Sequence, residues 1–130
     1  MLTRAEWDKL TPRERDAAYA KATGWKRVRV LGGEPDEYVG EPPDHPGEDN
    51  WIVPRFTTSW DAMRECVERL RGEFGCIELV VGEDEPDDPN SASCWIGVGE
   101  GVAKAYAPTL PEAVCVAALV ALGHMETGRG

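Results

Sequence analysis

The sequence is poor in the residues that hold metals or run nucleophilic chemistry. It has two histidines, His45 and His124, and four cysteines, Cys66, Cys76, Cys94 and Cys115, no two of which form a CxxC pair. That spacing excludes zinc-ribbon and thioredoxin-like sites. Each cysteine lies among apolar neighbours in an expected helix or strand, so all four read as buried, reduced thiols. No Ser/His/Asp or Cys/His arrangement carries a local catalytic signature. Long apolar runs are also missing: the longest, residues 113–122, is half of the roughly 20 residues that a membrane span needs. The first residues, Met1-Leu2-Thr3-Arg4-Ala5-Glu6, contain no signal-peptide core, which makes the cytoplasm the expected compartment.

Basic residues are scarce as well, 14 against 24 acids, for a formal net charge of −10. Such a surface repels phosphate backbones and anionic bilayers, so neither direct nucleic-acid binding nor membrane association is expected. It suits a basic protein partner or mimicry of a nucleic acid. The length of 130 residues fits one domain, and 42% hydrophobic residues can build one core without staples.

What is present is well-marked secondary structure. Thr3-Arg4-Ala5-Glu6 and Thr11-Pro12-Arg13-Glu14 are capping boxes, in which hydroxyl and carboxylate satisfy each other's amides. They predict a short helix, a tight turn and a longer helix to about Ala22, with Gly24 as its left-handed stop. Leu2 and Trp7 hold the staple positions. Lys26-Arg27-Val28-Arg29-Val30-Leu31 alternates and predicts a half-buried strand. Residues 32–50 are broken by Gly32, Gly33, Pro35, Gly40, Pro42, Pro43, Pro46 and Gly47 among acids, and predict a long acidic loop with no regular element. Trp51-Ile52-Val53 returns the chain to the core.

Thr58 or Ser59 caps the next helix, expected to about Arg71, with Trp60, Met63, Val67 and Leu70 as its buried stripe. Residues 76–81 and 93–98 predict paired strands, with Trp95 on the face opposite Cys94 and Ile96, and residues 103–107 a short third strand. The acidic turn 83–90 lacks the ligand order of an EF-hand. Gly97-Val98-Gly99-Glu100-Gly101 sits between strands, as a hairpin turn would, and matches no phosphate-binding loop. Thr109-Leu110-Pro111-Glu112 is a third capping box. The helix behind it, to Leu122, has no polar face and is expected to be buried all round, against the sheet and against either the N-terminal helices or a second subunit. Gly123 ends it, and residues 124–130 read as a polar tail.

Three stretches resemble one family. The segment from Arg13-Glu14-Arg15-Asp16-Ala17-Ala18 to Gly24-Trp25 is similar to its N-terminal part. Pro54-Arg55-Phe56-Thr57-Thr58-Ser59-Trp60-Asp61-Ala62 resembles its Pro-x-Tyr-Ser-Thr-Asp helix start. Ala107-Pro108-Thr109-Leu110-Pro111-Glu112-Ala113-Val114-Cys115-Val116-Ala117-Ala118-Leu119 is similar to its closing Thr-Pro-x-Ala-Ile-Cys-x-Ala-Ala-Leu helix. The family is the phage ABA sandwich domain, found in small phage and prophage proteins. The chain departs from it in the long acidic stretch 32–50 and in Ser59, where the family has an acid. The resemblance implies an α+β fold, a small and mainly antiparallel sheet sandwiched by helices, and a phage setting in a host cytoplasm. It brings no activity and no site residues. Double-stranded RNA-binding domains share the order of elements, but the lysines they need at the last helix start are absent here.

Chemistry therefore has few places to sit. His45, within Asp44-His45-Pro46-Gly47-Glu48-Asp49-Asn50, has oxygen neighbours but no recognised ligand spacing, and reads as part of a solvated loop. No catalytic residue, metal or cofactor is expected. Of the five tryptophans, Trp7 and Trp60 have core spacing. Trp25, Trp51 and Trp95, with Arg27, Arg29 and Arg55, form the candidate ligand site, since stacking plus arginine is how proteins hold nucleotides. The expected function is non-enzymatic: a phage accessory protein that binds, sequestering a small anionic, nucleotide-like ligand or engaging a host protein as a counter-defence. The alternative is an acidic interaction or DNA-mimic module that inhibits a basic host protein. A homo-oligomer through the apolar C-terminal helix is a further expectation.

Overall fold

The computed structural model describes residues 2–31, 37–81, 92–98 and 101–125. Both N-terminal capping boxes form. Thr3 accepts from the Glu6 amide while Glu6 accepts from the Thr3 amide, both at 3.1 Å, and Thr11 and Glu14 do the same at 3.3 and 2.9 Å. They start α1 (Arg4–Lys9) and α2 (Pro12–Ala22). Gly24 follows at φ +108°, a conformation that disfavours any side chain.

The first sheet is antiparallel, in the order β1 (Lys26–Val30), β2 (Tyr38–Glu41), β3 (Trp51–Ile52). Its middle strand corrects the reading of 32–50 as an unbroken loop. Tyr38 and Val39 hold enough apolar surface to pair, and Gly40 is a requirement of the pairing. A Cβ there would lie 3.0 Å from Val28 Cγ2 and 3.1 Å from the Lys26 carbonyl, where β1 bulges. Residues 32–36 lie outside the described residues.

A cap at Ser59 opens α3 (Trp60–Phe74), and Gly75 closes it at φ +81°. Its buried stripe is Met63, Cys66 and Leu70, with Val67 half-buried. Trp60, expected in that stripe, is 59% exposed: it is the first helical residue, beyond the part of α3 that the chain covers. The second sheet runs β4 (Ile77–Val81), β5 (Ala92–Val98), β6 (Gly101–Ala107), all antiparallel. The acidic turn 83–90 and the tip of the glycine turn, 99–100, lie outside the described residues.

Helix α4 (Leu110–Ala121) packs on β5 and β6 and also touches β4, α3 and α2. Every residue from Leu110 to Leu119 is buried. Small residues on both sides, Ala103, Ala105 and Ala107 from β6 and Ala113, Ala117 and Ala118 from α4, let helix and sheet approach closely. The third capping box does not form: Thr109 makes no side-chain cap. The Glu112 carboxylate instead receives Arg15 at 2.9 Å and lies 3.6 Å from Arg4, pinning α4 to both N-terminal helices. The apolar face that suggested a homo-oligomer is thus covered inside one chain. Met125, expected in the polar tail, is buried and bridges to Leu2; residues 126–130 lie outside the described residues. The architecture is α+β, helices around small antiparallel sheets. No helix among the described residues is long and apolar enough to cross a membrane.

All four cysteines are free, but Cys76 is exposed and departs from the expected burial. Burial pushes the Cys94 thiol up to about 12 and raises Cys66 and Cys115. One fast-reacting thiol per native chain is therefore expected with an aromatic disulfide reagent, and four after denaturation. Two or more fast thiols would contradict this packing.

Candidate functional site

A buried ionic knot sets the geometry. Asp16 on α2 is fully buried. One of its oxygens accepts from both the amide and the hydroxyl of Thr57 at 2.8 Å; the other accepts from Arg13 at 2.7 Å. Arg13 also donates to the Val53 and Pro54 carbonyls at 2.9 and 3.4 Å. Chain segment 53–57, which joins β3 to α3, is thereby fastened to α2. This brings Trp51 on β3, Tyr19 on α2 and Cys66 on α3 around one cavity.

That cavity has a volume of about 190 Å³. Its aromatic lining is Tyr19, Trp25, Trp51 and Phe56, with the Tyr19 and Phe56 rings tilted at 4.8 Å. The turn after β2 supplies another wall. There the His45 ring stacks on Trp51 at 4.2 Å and 18°, and Pro43 packs at 3.6 Å from where a Gly24 Cβ would stand. Charged groups sit at the rim: Asp44 and Arg69 pair at 3.1 Å, and Glu65 is exposed on α3. Tyr19 and Cys66 both line the cavity, and burial raises the pKa of each, Tyr19 most strongly. Both stay protonated at neutral pH, which makes the Cys66 thiol a weak nucleophile and a neutral wall.

Of the six candidate residues, Trp25 and Trp51 meet in this cavity. The three arginines stand outside its lining. Arg55 pairs with Glu37 at 3.0 Å. Arg29 donates to the Asp49 carbonyl at 2.8 Å. Arg27, with a positive φ of 55°, lies at the bulge of β1, 3.7 Å from the Asp49 carboxylate. Trp95 belongs to the other sheet, on its outward face, with the Lys104 ammonium 5.0 Å from its ring. Sequence reasoning missed Tyr19, His45, Cys66 and Arg69. Cys66 and Arg69 carry one legible signal, their i, i+3 spacing on α3. His45 carries none, because its partner Trp51 is met only when β3 folds against β2. No group of three or more metal-ligating side chains comes together among the described residues.

No protein-family description and no curated relative matches the chain. A likeness of fold is nevertheless clear. The chain is similar to a phage protein from Bacillus cereus ATCC 14579, whose crystal structure is known at 2.0 Å, with a TM-score of 0.60 and 19% identity over 88% of this chain and 89% of that one. A small α+β fold of helices around antiparallel strands, shared along nearly the whole length with a phage protein, is what the likeness establishes.

Proposed function

We propose that this chain is a phage or prophage accessory protein of the ABA sandwich type that acts in the host cytoplasm by binding, and that the Trp25–Trp51 cavity is its ligand site. The observation that carries the reading is the convergence of two tryptophans, distant in sequence, on one aromatic cavity with a polar rim. The fold shared with a phage protein supports the setting. Sequestration of a signalling nucleotide, the counter-defence expected from the sequence, has less support here, because Arg69, the arginine that lines the cavity, already pairs with Asp44 at 3.1 Å.

Native mass spectrometry of the protein purified from cells tests this. A mass above a whole-number multiple of 14.3 kDa is expected, and Trp51→Ala should abolish the excess. An apo mass that persists after exposure to a cell extract would overturn the reading. The second reading, an acidic module that blocks a basic host protein, is favoured by the net charge of −10 and by exposed acids on α3, Asp61, Glu65, Glu68 and Glu73. Capture of a host protein that weakens steeply with salt would support it.

A further inference from the structure

Taking the Trp25–Trp51 cavity as the ligand site, we propose that it recognises an organic cation of the alkylammonium class, and that Glu65 supplies the countercharge. Four aromatic side chains, Tyr19, Trp25, Trp51 and Phe56, line the space, and the faces of such rings attract cations. The charges at the rim have the matching sign. Arg69 is the cation there, and Asp44 neutralises it at 3.1 Å. Glu65 remains: its carboxylate has no hydrogen-bond or ion-pair partner among the described residues, and it lies one helical turn before Arg69 on α3.

The arginines that an anion would need are elsewhere. Arg55 faces Glu37, and Arg27 and Arg29 are held at Asp49. Size points the same way. At about 190 Å³ the cavity suits a small head group and falls below the roughly 300–1,000 Å³ of sites that enclose a larger ligand. The net charge of −10 raises the local concentration of cations and lowers that of anions.

The test compares three probes on the full chain: choline, its uncharged carbon isostere dimethylbutanol, and adenosine monophosphate. Calorimetry gives affinities, and the indole N–H signals of Trp25 and Trp51 locate the site. Choline is expected to bind about tenfold tighter than the isostere. Glu65→Gln, at an exposed helical position, should narrow that gap while leaving the isostere unchanged. Equal binding of choline and isostere would overturn the proposal and leave a plain apolar pocket. Binding of adenosine monophosphate but not choline at the two tryptophans would overturn the cation class and keep the ligand-site reading. If none of the three moves the indole signals and the protein leaves cells with an apo mass, both readings fall.

Discussion

Replacing Asp16 with alanine is expected to destabilise the protein by about 3–5 kcal/mol, the range for removing one partner of a buried ion pair. Asp16 is fully buried, and its partner Arg13 has an 11% exposed side chain. Truncation would leave that guanidinium with the Val53 and Pro54 carbonyls and only the more distant Glu37 carboxylate at 3.4 Å, the Thr57 amide without an acceptor, and the Thr57 hydroxyl with the Pro12 carbonyl at 3.4 Å alone. Native stabilities are commonly 5–15 kcal/mol, so the loss is a large share of the total. Asp16→Asn keeps an oxygen for Thr57 and removes only the charge, and should cost less. Urea unfolding measures both: the midpoint should fall with an unchanged slope. A loss below about 1 kcal/mol for the alanine variant would mean that Arg13 finds a sufficient substitute, with Glu37 at 3.4 Å the nearest available carboxylate.

The second large effect separates two tryptophans that the sequence presents alike. Trp7 is completely buried and Trp60 is 59% exposed. Trp7→Ala should cost about 3–5 kcal/mol, through lost transfer energy and the cavity left behind. Trp60→Ala should stay within about 0.5 kcal/mol of the parent. Among the described residues Trp7 Nε1 has no hydrogen-bond partner, so Trp7→Phe gives up shape without breaking a bond and should fall between the two. Thermal melts of the three variants decide the matter. Equal losses at positions 7 and 60 would contradict the burial described here.

The contrast shows where local pattern is informative. Capping boxes at Thr3 and Thr11 and the cap at Thr58 or Ser59 use bonds between residues three apart and were legible without any fold, whereas α3 runs past the expected end near Arg71 to Phe74. At Thr109 the same pattern fails, because Arg15, 97 residues away, takes Glu112. The 3.6-residue period placed Trp60 with Met63 and Leu70 on a buried stripe, but Trp60 is 59% exposed, because a period says nothing about where the covering surface ends. The stretch 32–50 was read by its glycines and prolines, although Tyr38, Val39 and Gly40 form the strand that centres the first sheet.

The candidate site divides the same way. Trp25 and Trp51 could be chosen by residue type, since ligand pockets are lined predominantly by hydrophobic and aromatic side chains. The arginines chosen with them were free only on paper; in three dimensions each meets a carboxylate or carbonyl of its own chain. By itself the sequence determined the α+β class, most helix boundaries, the second sheet, the burial of most of the last helix and the net negative charge. All of these follow from composition, short-range hydrogen bonding and hydrophobic period. Tertiary structure alone decided that Asp16 ties α2 to segment 53–57, that Tyr19, His45, Cys66 and Arg69 join Trp25 and Trp51, and that Trp95 does not. Those contacts join residues tens of positions apart, and only packing of the elements against one another brings them within reach.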